Sequence, residues 1–379
     1  MNSKRSHKVR YREIGFSLVE VMIALVIGLI TVLVVTQVIA MSAAQRQTAT
    51  SGADATINSA LALFTIERDG KNAGYGFSTV RGNLGCQVRS KYNGTSNAAF
   101  QLLPVEIIDG ASGAPDILHF RASNKNGITL PTRIAVDHAT AANNFYVDSD
   151  VGIQTGDLMV AVTASLDTAV TPTRWCTLFA VTEPPSGAGA NLVWHQATNP
   201  WNPSTSIMPA SGYVIGDYLI NLGTFSDRTY SLSANGKDLQ VTDVNWPSNA
   251  ATTESVYPNI VQLQAVYGLD TNADKVVDTW TATAPTTTVI WQQIRAIRVA
   301  LVAQGRQRET GTVTLDGDSA ASTCASQTPH PAAICWHPDP LGDGVKLDVN
   351  IGNTNPDWQH YRYRVIETTI PLRNVVWQQ

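Results

Sequence analysis

The chain has 379 residues, a net charge of −4 and a charged fraction of only 15%. Its first fifteen residues hold five basic side chains and one acidic one, so the remainder carries a net charge of about −8. That balance argues against a general nucleic-acid-binding surface, because such surfaces neutralise phosphates with clustered Lys and Arg. Low charge together with abundant Gly, Thr, Ser and Asn is typical of a β-rich exported protein.

An apolar segment from Phe16 to Ala40 follows the basic N-terminus. As a helix it would extend for about 37 Å, which exceeds a hydrocarbon core of about 30 Å. The basic flank predicts a cytoplasmic N-terminus and an exported C-terminal body. The segment is longer than the apolar region of an ordinary secretory signal, and no clear small-x-small cleavage site follows it.

One acidic residue, Glu20, interrupts this apolar segment in the stretch "GFSLVEVMIALVIGLI". A carboxylate at that depth costs free energy, so a function and a partner are expected for it. The combination of a short basic leader, Gly15, Phe16, Glu20 and a long apolar helix resembles the type IV prepilin signature. A plain membrane anchor whose glutamate reaches the lipid interface is the simpler alternative.

The resemblance implies that a membrane peptidase cleaves between Gly15 and Phe16 and that the new amine on Phe16 is N-methylated. It also implies that Glu20 of one subunit meets the Phe16 amine of its neighbour during fibre assembly. Pairing would recover much of the free energy that the unpaired carboxylate costs in the membrane. The helix is expected to continue to residue 74, with Ile57, Leu61 and Phe64 forming one stripe that packs on a globular domain.

The exported body, residues 75–379, shows alternating patterns that predict β-strands. In "RWCTLFAV", Thr177 and Phe179 fall on one face, whereas Cys176 and Leu178 fall on the other. Asn235-Gly236 between two alternating runs predicts a hairpin. Val261, Leu263, Ala265 and Tyr267 are expected on one side of another strand. "AIRVALVAQ" and "YRYRVIETTIPL" predict two more strands.

Several stretches resemble PilW-like minor pilins: "ERDGKNAGYG", "VQLQAVYGLDTNADKVVD", "IRAIRVALVA" and "RVIETTIPLRN", in this order. The resemblance implies an α+β, type IV pilin-like fold, with a long N-terminal helix packed on an antiparallel sheet. The implied organisation is a removed leader (1–15), a helix (16–74, spanning the membrane over about 16–40) and an exported domain with a β-rich insertion at about 100–245.

The same resemblance implies a minor pilin that primes pilus assembly and sits at the fibre tip, supporting twitching motility and adhesion. Its partners would be other minor pilins, the major pilin, a tip adhesin, the prepilin peptidase and the inner-membrane assembly platform. Before assembly it would lie in the inner membrane with a periplasmic domain. A J-like pseudopilin of type II secretion shares the leader and remains the nearest alternative; a membrane-anchored enzyme or ligand-binding protein is the alternative of another class.

Four cysteines, Cys86, Cys176, Cys324 and Cys335, lie in a domain predicted to be exported, where disulfides persist. Three pairings are possible. Cys324–Cys335 is favoured because it closes a short loop, and Cys86–Cys176 then follows by elimination. Zinc is the alternative at the second pair, since His330 and His337 lie nearby, but no C-x-x-C spacing supports it.

The stretch "DTNADKVVD" resembles an EF-hand calcium loop. Acidic and amide side chains occupy positions 1, 3, 5 and 9 of that loop: Asp270, Asn272, Asp274 and Asp278. Against calcium, Lys275 stands where glycine normally makes the turn, and Thr281 stands where glutamate is expected. Calcium is therefore a possible ligand rather than a required cofactor, and a polar hairpin is the alternative.

Enzyme motifs are missing from the sequence. It contains no G-x-S-x-G, no H-E-x-x-H and no phosphate-binding loop, and its seven histidines are scattered. The isolated His119, His138, His195 and His360 are interpreted as surface or structural groups. Trp201, in a proline-rich loop, is expected to pack against the β-core rather than contact a partner. The sequence therefore favours a non-enzymatic protein that acts by assembly.

Overall fold

The structure, a computed structural model, divides the chain into two units, residues 1–51 and residues 52–379. One helix, α1 (Leu18–Asn72), contributes residues to both units. The structure describes residues 15–80, 84–125, 130–165, 173–183, 191–202, 207–314, 323–324, 334–339, 344–349 and 355–376.

The described residues also form two short helices and 22 strands. The helices are α2 (Thr288–Gln293) and α3 (Arg373–Val376). The first eleven strands are β1 (Gln87–Arg89), β2 (Lys91–Tyr92), β3 (Thr95–Ser96), β4 (Phe100–Gln101), β5 (Val105–Ile108), β6 (Ile117–Ala122), β7 (Thr132–Arg133), β8 (Asn144–Tyr146), β9 (Leu158–Val162), β10 (Cys176–Ala180) and β11 (Leu192–Trp194). The others are β12 (Tyr218–Gly223), β13 (Ser226–Leu232), β14 (Asp238–Asn245), β15 (Ala250–Pro258), β16 (Ile260–Leu269), β17 (Thr279–Thr281), β18 (Ile294–Gln304), β19 (Thr323–Cys324), β20 (Cys335–Trp336), β21 (Gly344–Lys346) and β22 (Tyr363–Pro371).

The part of α1 that belongs to the second unit is amphipathic and buries one face. Residues at helical spacing on that face are buried, and all except Ser59 belong to the main core: Ala55, Ser59, Ala62, Leu63 and Ile66. Small residues dominate the start of the face and larger ones its end. The helix ends at Asn72, two residues before the predicted end at residue 74.

Gly70 lets the end of α1 approach strand β22. A Cβ at this position would lie 2.8 Å from Ile370 Cγ2 and 3.1 Å from Phe120 Cε1. Two polar contacts fix the same turn, because Tyr230 Oη and Arg228 Nη1 both donate to Asp69 Oδ2, at 2.6 and 3.0 Å. The helix is thus held by a close backbone approach and by a partly buried carboxylate.

A six-stranded sheet with the order β4-β1-β10-β9-β12-β7 is covered by apolar clusters on both faces. Strand β10 shows why its sequence alternates: Cys176 and Leu178 lie in the main core, whereas Phe179 lies in a second cluster with Phe145 and Val193. The predicted alternation of β10 is therefore confirmed, although both of its faces are buried.

A five-stranded antiparallel sheet has the order β15-β14-β13-β6-β5. Its β13–β14 hairpin turns at Asn235-Gly236, where Gly236 has φ +65°. Glycine is the residue that adopts a positive φ most readily. The predicted hairpin is therefore confirmed, and so is the reason for glycine at its turn.

A four-stranded antiparallel sheet has the order β17-β16-β18-β22. In β16, Leu263, Ala265 and Tyr267 face the main core, as predicted, but Val261 lies in a separate cluster on the other side. The register shifts between Ile260 and Gln262, and such a bulge changes the face to which a side chain points. The prediction for Val261 was therefore wrong.

The last described residues return to the end of α1. The Asn374 side-chain amide faces the backbone carbonyls of three residues there, Lys71, Asn72 and Ala73, with Nδ2–O distances of 3.4, 3.1 and 3.1 Å. Helix ends leave carbonyls without partners inside the helix, and Asn374 supplies donors to them. The fold class is α+β: a long N-terminal apolar helix and a domain rich in antiparallel sheet. Strands β4 to β14 lie within the predicted insertion at 100–245.

Candidate assembly surface

The described part of the N-terminal unit begins with three non-helical residues, 15–17. Gly15 and Phe16 precede the helix, and the carbonyl of Ser17 accepts the first hydrogen bond, from Val21 N. The Gly15–Phe16 bond therefore lies in non-helical backbone in front of α1. By length and composition α1 can cross a membrane, since its most apolar window has a mean hydropathy of 2.9.

Glu20 lies in the first turn of α1, with an exposed side chain, among exposed apolar residues. The N-terminus of a helix carries a partial positive charge, which stabilises a carboxylate there by about 0.3–1 kcal/mol. That gain is smaller than the cost of a carboxylate at the centre of a membrane-spanning helix, about 2.5–3.5 kcal/mol for Asp on insertion scales. The helix alone therefore does not satisfy Glu20.

The outward face of α1 in the second unit is apolar. Ile57, Leu61 and Phe64 are 64%, 52% and 63% exposed. The sequence predicted that this stripe packs on the globular domain, and that prediction was wrong. The domain is instead covered by the face that carries Ala55, Ser59 and Ala62, because these small side chains allow the sheets to approach the helix closely.

The error has a simple physical origin. Both faces of this part of α1 show small or apolar residues at i, i+4 and i+7, so periodicity alone does not tell which face the domain covers. The consequence is an exposed stripe (Ile57, Leu61 and Phe64) on a protein whose N-terminal segment is already apolar on its surface. Exposed apolar patches of this kind are typical of interaction sites.

The disulfide between Cys86 and Cys176 is present and confirms that predicted pairing. The bond joins residues 90 positions apart, with a Cα–Cα distance of 6.1 Å, and both cysteines are buried. It ties β1 to β10, which run parallel with Val88 opposite Cys176. Cys335 is also disulfide-bonded, but the side chain of Cys324 lies outside the described residues, so the pairing Cys324–Cys335 stays a prediction.

The candidate calcium loop makes the sharp turn at position 6, although its sequence has lysine there in place of glycine. Lys275 has φ +74°, so a lysine takes the left-handed conformation that glycine normally supplies at position 6. The carboxylate at position 1, Asp270, is buried and accepts from Arg295 Nε and Nη2, at 2.9 and 2.8 Å. A guanidinium therefore already balances the charge of Asp270.

The other candidate ligands are bonded to each other. Asn272 Nδ2 donates to Asp274 Oδ2 and to Asp278 Oδ1, both at 3.2 Å. Within the part of the chain that the structure describes, no group of three or more His, Cys, Asp or Glu side chains is arranged to hold a metal ion. Calcium binding at Asp270, Asn272, Asp274 and Asp278 stays a prediction of the sequence.

Two of the scattered histidines meet in space. His138 Nε2 and His195 Nε2 are 2.9 Å apart, beneath the six-stranded sheet. Sequence reasoning had treated them separately, because they are 57 positions apart and neither belongs to a recognised motif. His330, the neighbour of the second cysteine pair, lies outside the described residues. Trp201 is buried beside Tyr92 and Trp246, as expected.

Asp116 is a buried carboxyl group that no sequence motif indicated. Its two oxygens accept from Gly110 N and Ala265 N, at 2.9 and 2.7 Å, so it joins a surface loop to strand β16. Burial raises the pKa of Asp116 from 3.8 to about 7; the two backbone hydrogen bonds oppose this shift, and nearby Asp109 adds to it.

A raised acid pKa makes the fold less stable as pH rises. The contribution of Asp116 is complete below pH 4 and is lost as the pH increases from about 4 to about 7, by an amount of the order of 4 kcal/mol. We expect Asp116→Asn to flatten this slope while lowering stability at pH 4.5, since an amide has only one acceptor oxygen for two N–H donors. Denaturant unfolding at pH 4.5 and 7.5 measures both effects.

Glu254→Gln, at an exposed carboxylate on β15, is the matched control and should keep the slope of the unmodified protein. The His138–His195 pair contributes equally to the pH dependence of the unmodified protein and of both variants. Its contribution therefore cancels when their slopes are compared. An unchanged slope in Asp116→Asn would show that this carboxyl group is ionised in the fold throughout the range.

Two family models match the chain. Residues 229–374 match the type IV pilus-assembly protein W family, and residues 10–36 match the prokaryotic N-terminal methylation motif. The first match contains β14 to β22 and the candidate calcium loop, and the second contains Gly15, Phe16 and Glu20. No curated protein matches the chain. Both matching families concern pilus structure and assembly, not catalysis.

Proposed function

We propose that the chain is a minor pilin. The premise is that it is a type IV pilus-related protein with a prepilin motif and a PilW region. In this role it is cleaved after Gly15, methylated on Phe16, and incorporated at the tip of a fibre, where it primes assembly. Pilin partners and membrane association follow from the pilus context itself. Support for motility and adhesion belongs to the proposal.

The observation that carries the proposal is the exposed stripe formed by Ile57, Leu61 and Phe64. Exposing three large apolar side chains on one helix face costs free energy of about 0.8 kcal/mol per CH₂ group left in water. A packed helix from a neighbouring subunit would remove that cost. The spacing i, i+4, i+7 is the one that lets side chains of one helix fit between those of another.

Glu20 supplies the second requirement of assembly, which is register. An apolar helix can slide along another apolar helix with little change in free energy. A single carboxylate that needs a cationic partner selects one position, because only there is its charge balanced. The amine of Phe16 in an adjacent subunit, created by the proposed cleavage, is that partner.

The proposed assembly contacts are tested with Leu61→Asn combined with Phe64→Ser. These side chains are exposed, so the exported domain should fold and melt normally. We expect the abundance of the variant in sheared surface fibres, measured by quantitative mass spectrometry, to fall at least ten-fold. Ile215→Asn is the control, since Ile215 is equally exposed, at 66%, but lies far along the chain between β11 and β12.

The same measurement tests the whole assignment. An N-terminal peptide that begins at N-methylated Phe16, found in trace amount in fibres, would support a minor pilin. A processed chain that stays in the membrane and is absent from pili would support the secretion pseudopilin instead. An intact Met1 leader would support a plain membrane anchor. Full incorporation of the double variant would show that the exposed stripe is not part of the assembly interface.

A further inference from the structure

An amine, a carboxylate and an amide meet where the five-stranded and six-stranded sheets adjoin. Lys125 follows β6 of the five-stranded sheet, whereas Asp157 precedes β9 and Asn221 lies on β12, both in the six-stranded sheet. The side chains of Lys125 and Asp157 are each 10% exposed, and Asn221 is 3% exposed. This cluster is therefore nearly closed to solvent, and it lies outside both family matches, 10–36 and 229–374.

The backbone brings the lysine against the end of β12. The pairing of β9 with β12 shifts in register between Asn221 and Gly223, and Gly223 has φ +63°. A Cβ on Gly223 would lie 3.0 Å from Lys125 N and 3.1 Å from Lys125 Cα. Asn124 N donates to Leu222 O at 3.1 Å in the same place. Glycine at this bulge thus permits the close approach of the segment that carries the lysine.

One carboxylate oxygen contacts both side-chain nitrogens. Lys125 Nζ donates to Asp157 Oδ2 at 2.8 Å, and Asn221 Nδ2 donates to the same oxygen at 2.8 Å. The two nitrogens therefore lie within two hydrogen-bond lengths of each other. Asn221 Oδ1 accepts from Gly223 N at 2.8 Å, so a backbone donor on one side and a carboxylate on the other fix the orientation of the amide.

An ion pair between Lys125 and Asp157 is the simpler interpretation of these contacts, but the cluster contains more than an ion pair needs. Amide exchange requires a nucleophilic amine, a polarised amide carbon and a group that moves protons between the attacking and leaving nitrogens. All three are in contact here and shielded from water. We propose that Lys125 Nζ and Asn221 Cγ join in an amide cross-link, with Asp157 moving the protons.

The reaction balances without a further reagent. A proton passes from Lys125 Nζ to Asp157, and the neutral amine attacks Asn221 Cγ while Gly223 N donates to the oxyanion formed on Oδ1. Asp157 then protonates Nδ2, the Cγ–Nδ2 bond breaks, and the nitrogen leaves with the surplus Nζ proton as ammonium. Nζ also donates to Gln154 Oε1 at 2.9 Å, a contact that it gives up to approach Cγ to about 3–3.5 Å.

The product is a covalent bond between the end of β6 and β12. Unlike a disulfide, an amide is not broken by reduction, so this cross-link holds the two sheets together whatever the redox state of the compartment. The inference concerns the exported domain by itself and does not depend on the proposed role in a pilus.

The test is peptide mapping by mass spectrometry. The full chain is purified in detergent, its disulfides are reduced and alkylated, and it is digested with trypsin and chymotrypsin. We expect most chains to give a branched peptide that joins the segments containing Lys125 and Asn221, lighter by one ammonia molecule than the two segments together. The branch is the decisive feature, because an exposed Asn-Gly pair such as Asn235-Gly236 can also lose ammonia by cyclising on itself.

Three substitutions separate the roles. Lys125→Arg keeps the positive charge but removes the amine, and Asp157→Asn removes the group that moves protons, so neither variant should give the branched peptide. Lys237→Arg, at an exposed lysine beside the β13–β14 turn, is the matched control and should give it in full. If a variant does not fold, the unsubstituted chain decides, since its Lys125 should resist amine-reactive labelling after denaturation while Lys237 reacts.

Three results would overturn the proposal. The first is recovery of Lys125 and Asn221 from the folded chain in separate, unaltered peptides, which would leave an ion pair only. The second is a branched peptide that has lost water instead of ammonia and joins Lys125 to Asp157. The third is an undiminished cross-link in Asp157→Asn, which would remove the carboxylate from the reaction.

Discussion

Glu20→Ala is expected to leave cleavage after Gly15 intact and to reduce the amount of this chain in surface fibres at least ten-fold. Under the proposed function, cleavage depends on the backbone around Gly15 and Phe16, which precedes the helix and which the substitution does not alter. In the same proposal, incorporation depends on pairing the carboxylate with an amine of a neighbour. Losing one such pair in a membrane costs more than the 1.4 kcal/mol that corresponds to a ten-fold change.

The matched control is Thr31→Val, which removes a different polar group from the same apolar segment. The Thr31 hydroxyl donates to Ile27 O within its own helix, so it needs no partner from another subunit. Processing is followed by the mass of the N-terminal peptide, and incorporation by the amount in sheared fibres. Normal incorporation of Glu20→Ala alongside Thr31→Val would mean that the glutamate does not set the register.

The second large effect is expected from removing the disulfide. The double variant Cys86→Ala, Cys176→Ala opens a loop of about 90 residues, and loop-closure entropy predicts a loss of roughly 4–5 kcal/mol. A loss of that size corresponds to a fall in melting temperature of roughly 5–10 °C in a domain of this size. Calorimetry or circular dichroism of the unreduced chain measures it.

Val88→Ala controls for the volume that the double variant also removes. Val88 is buried on β1 and stands opposite Cys176, so the substitution loosens the same place and keeps the cross-link. It should lower the melting temperature by less than half as much. Equal effects from the two variants would assign the stability to packing and not to the cross-link.

The parts of this fold that the sequence predicted correctly depend on neighbouring residues. The approximate end of α1, the turn at Asn235-Gly236 and the alternation in β10 all follow from local chemistry. The prepilin signature is also local, since Gly15, Phe16 and Glu20 lie within one short stretch. Signals of this local kind can be recognised from the sequence alone.

The failures depend on contacts between distant segments. The stripe at Ile57, Leu61 and Phe64 was assigned to the wrong side because the choice of face is made by strands far along the chain. Val261 was misplaced by a bulge, which depends on the pairing of β16 with β18. The meeting of His138 and His195 follows only from the way β8, β10 and β11 come together, so no spacing rule could have found it.

The bonds from Asn374 to the carbonyls at the end of α1 connect residues about 300 positions apart. Strand β22 pairs with β18, and Asn374 follows β22 directly. A variant cut before β22 would leave the carbonyls at the end of α1 without the donors of Asn374 and one side of β18 without its partner strand. Loss of the last described segment is therefore expected to disturb the end of the N-terminal helix as well as the sheet to which that segment belongs.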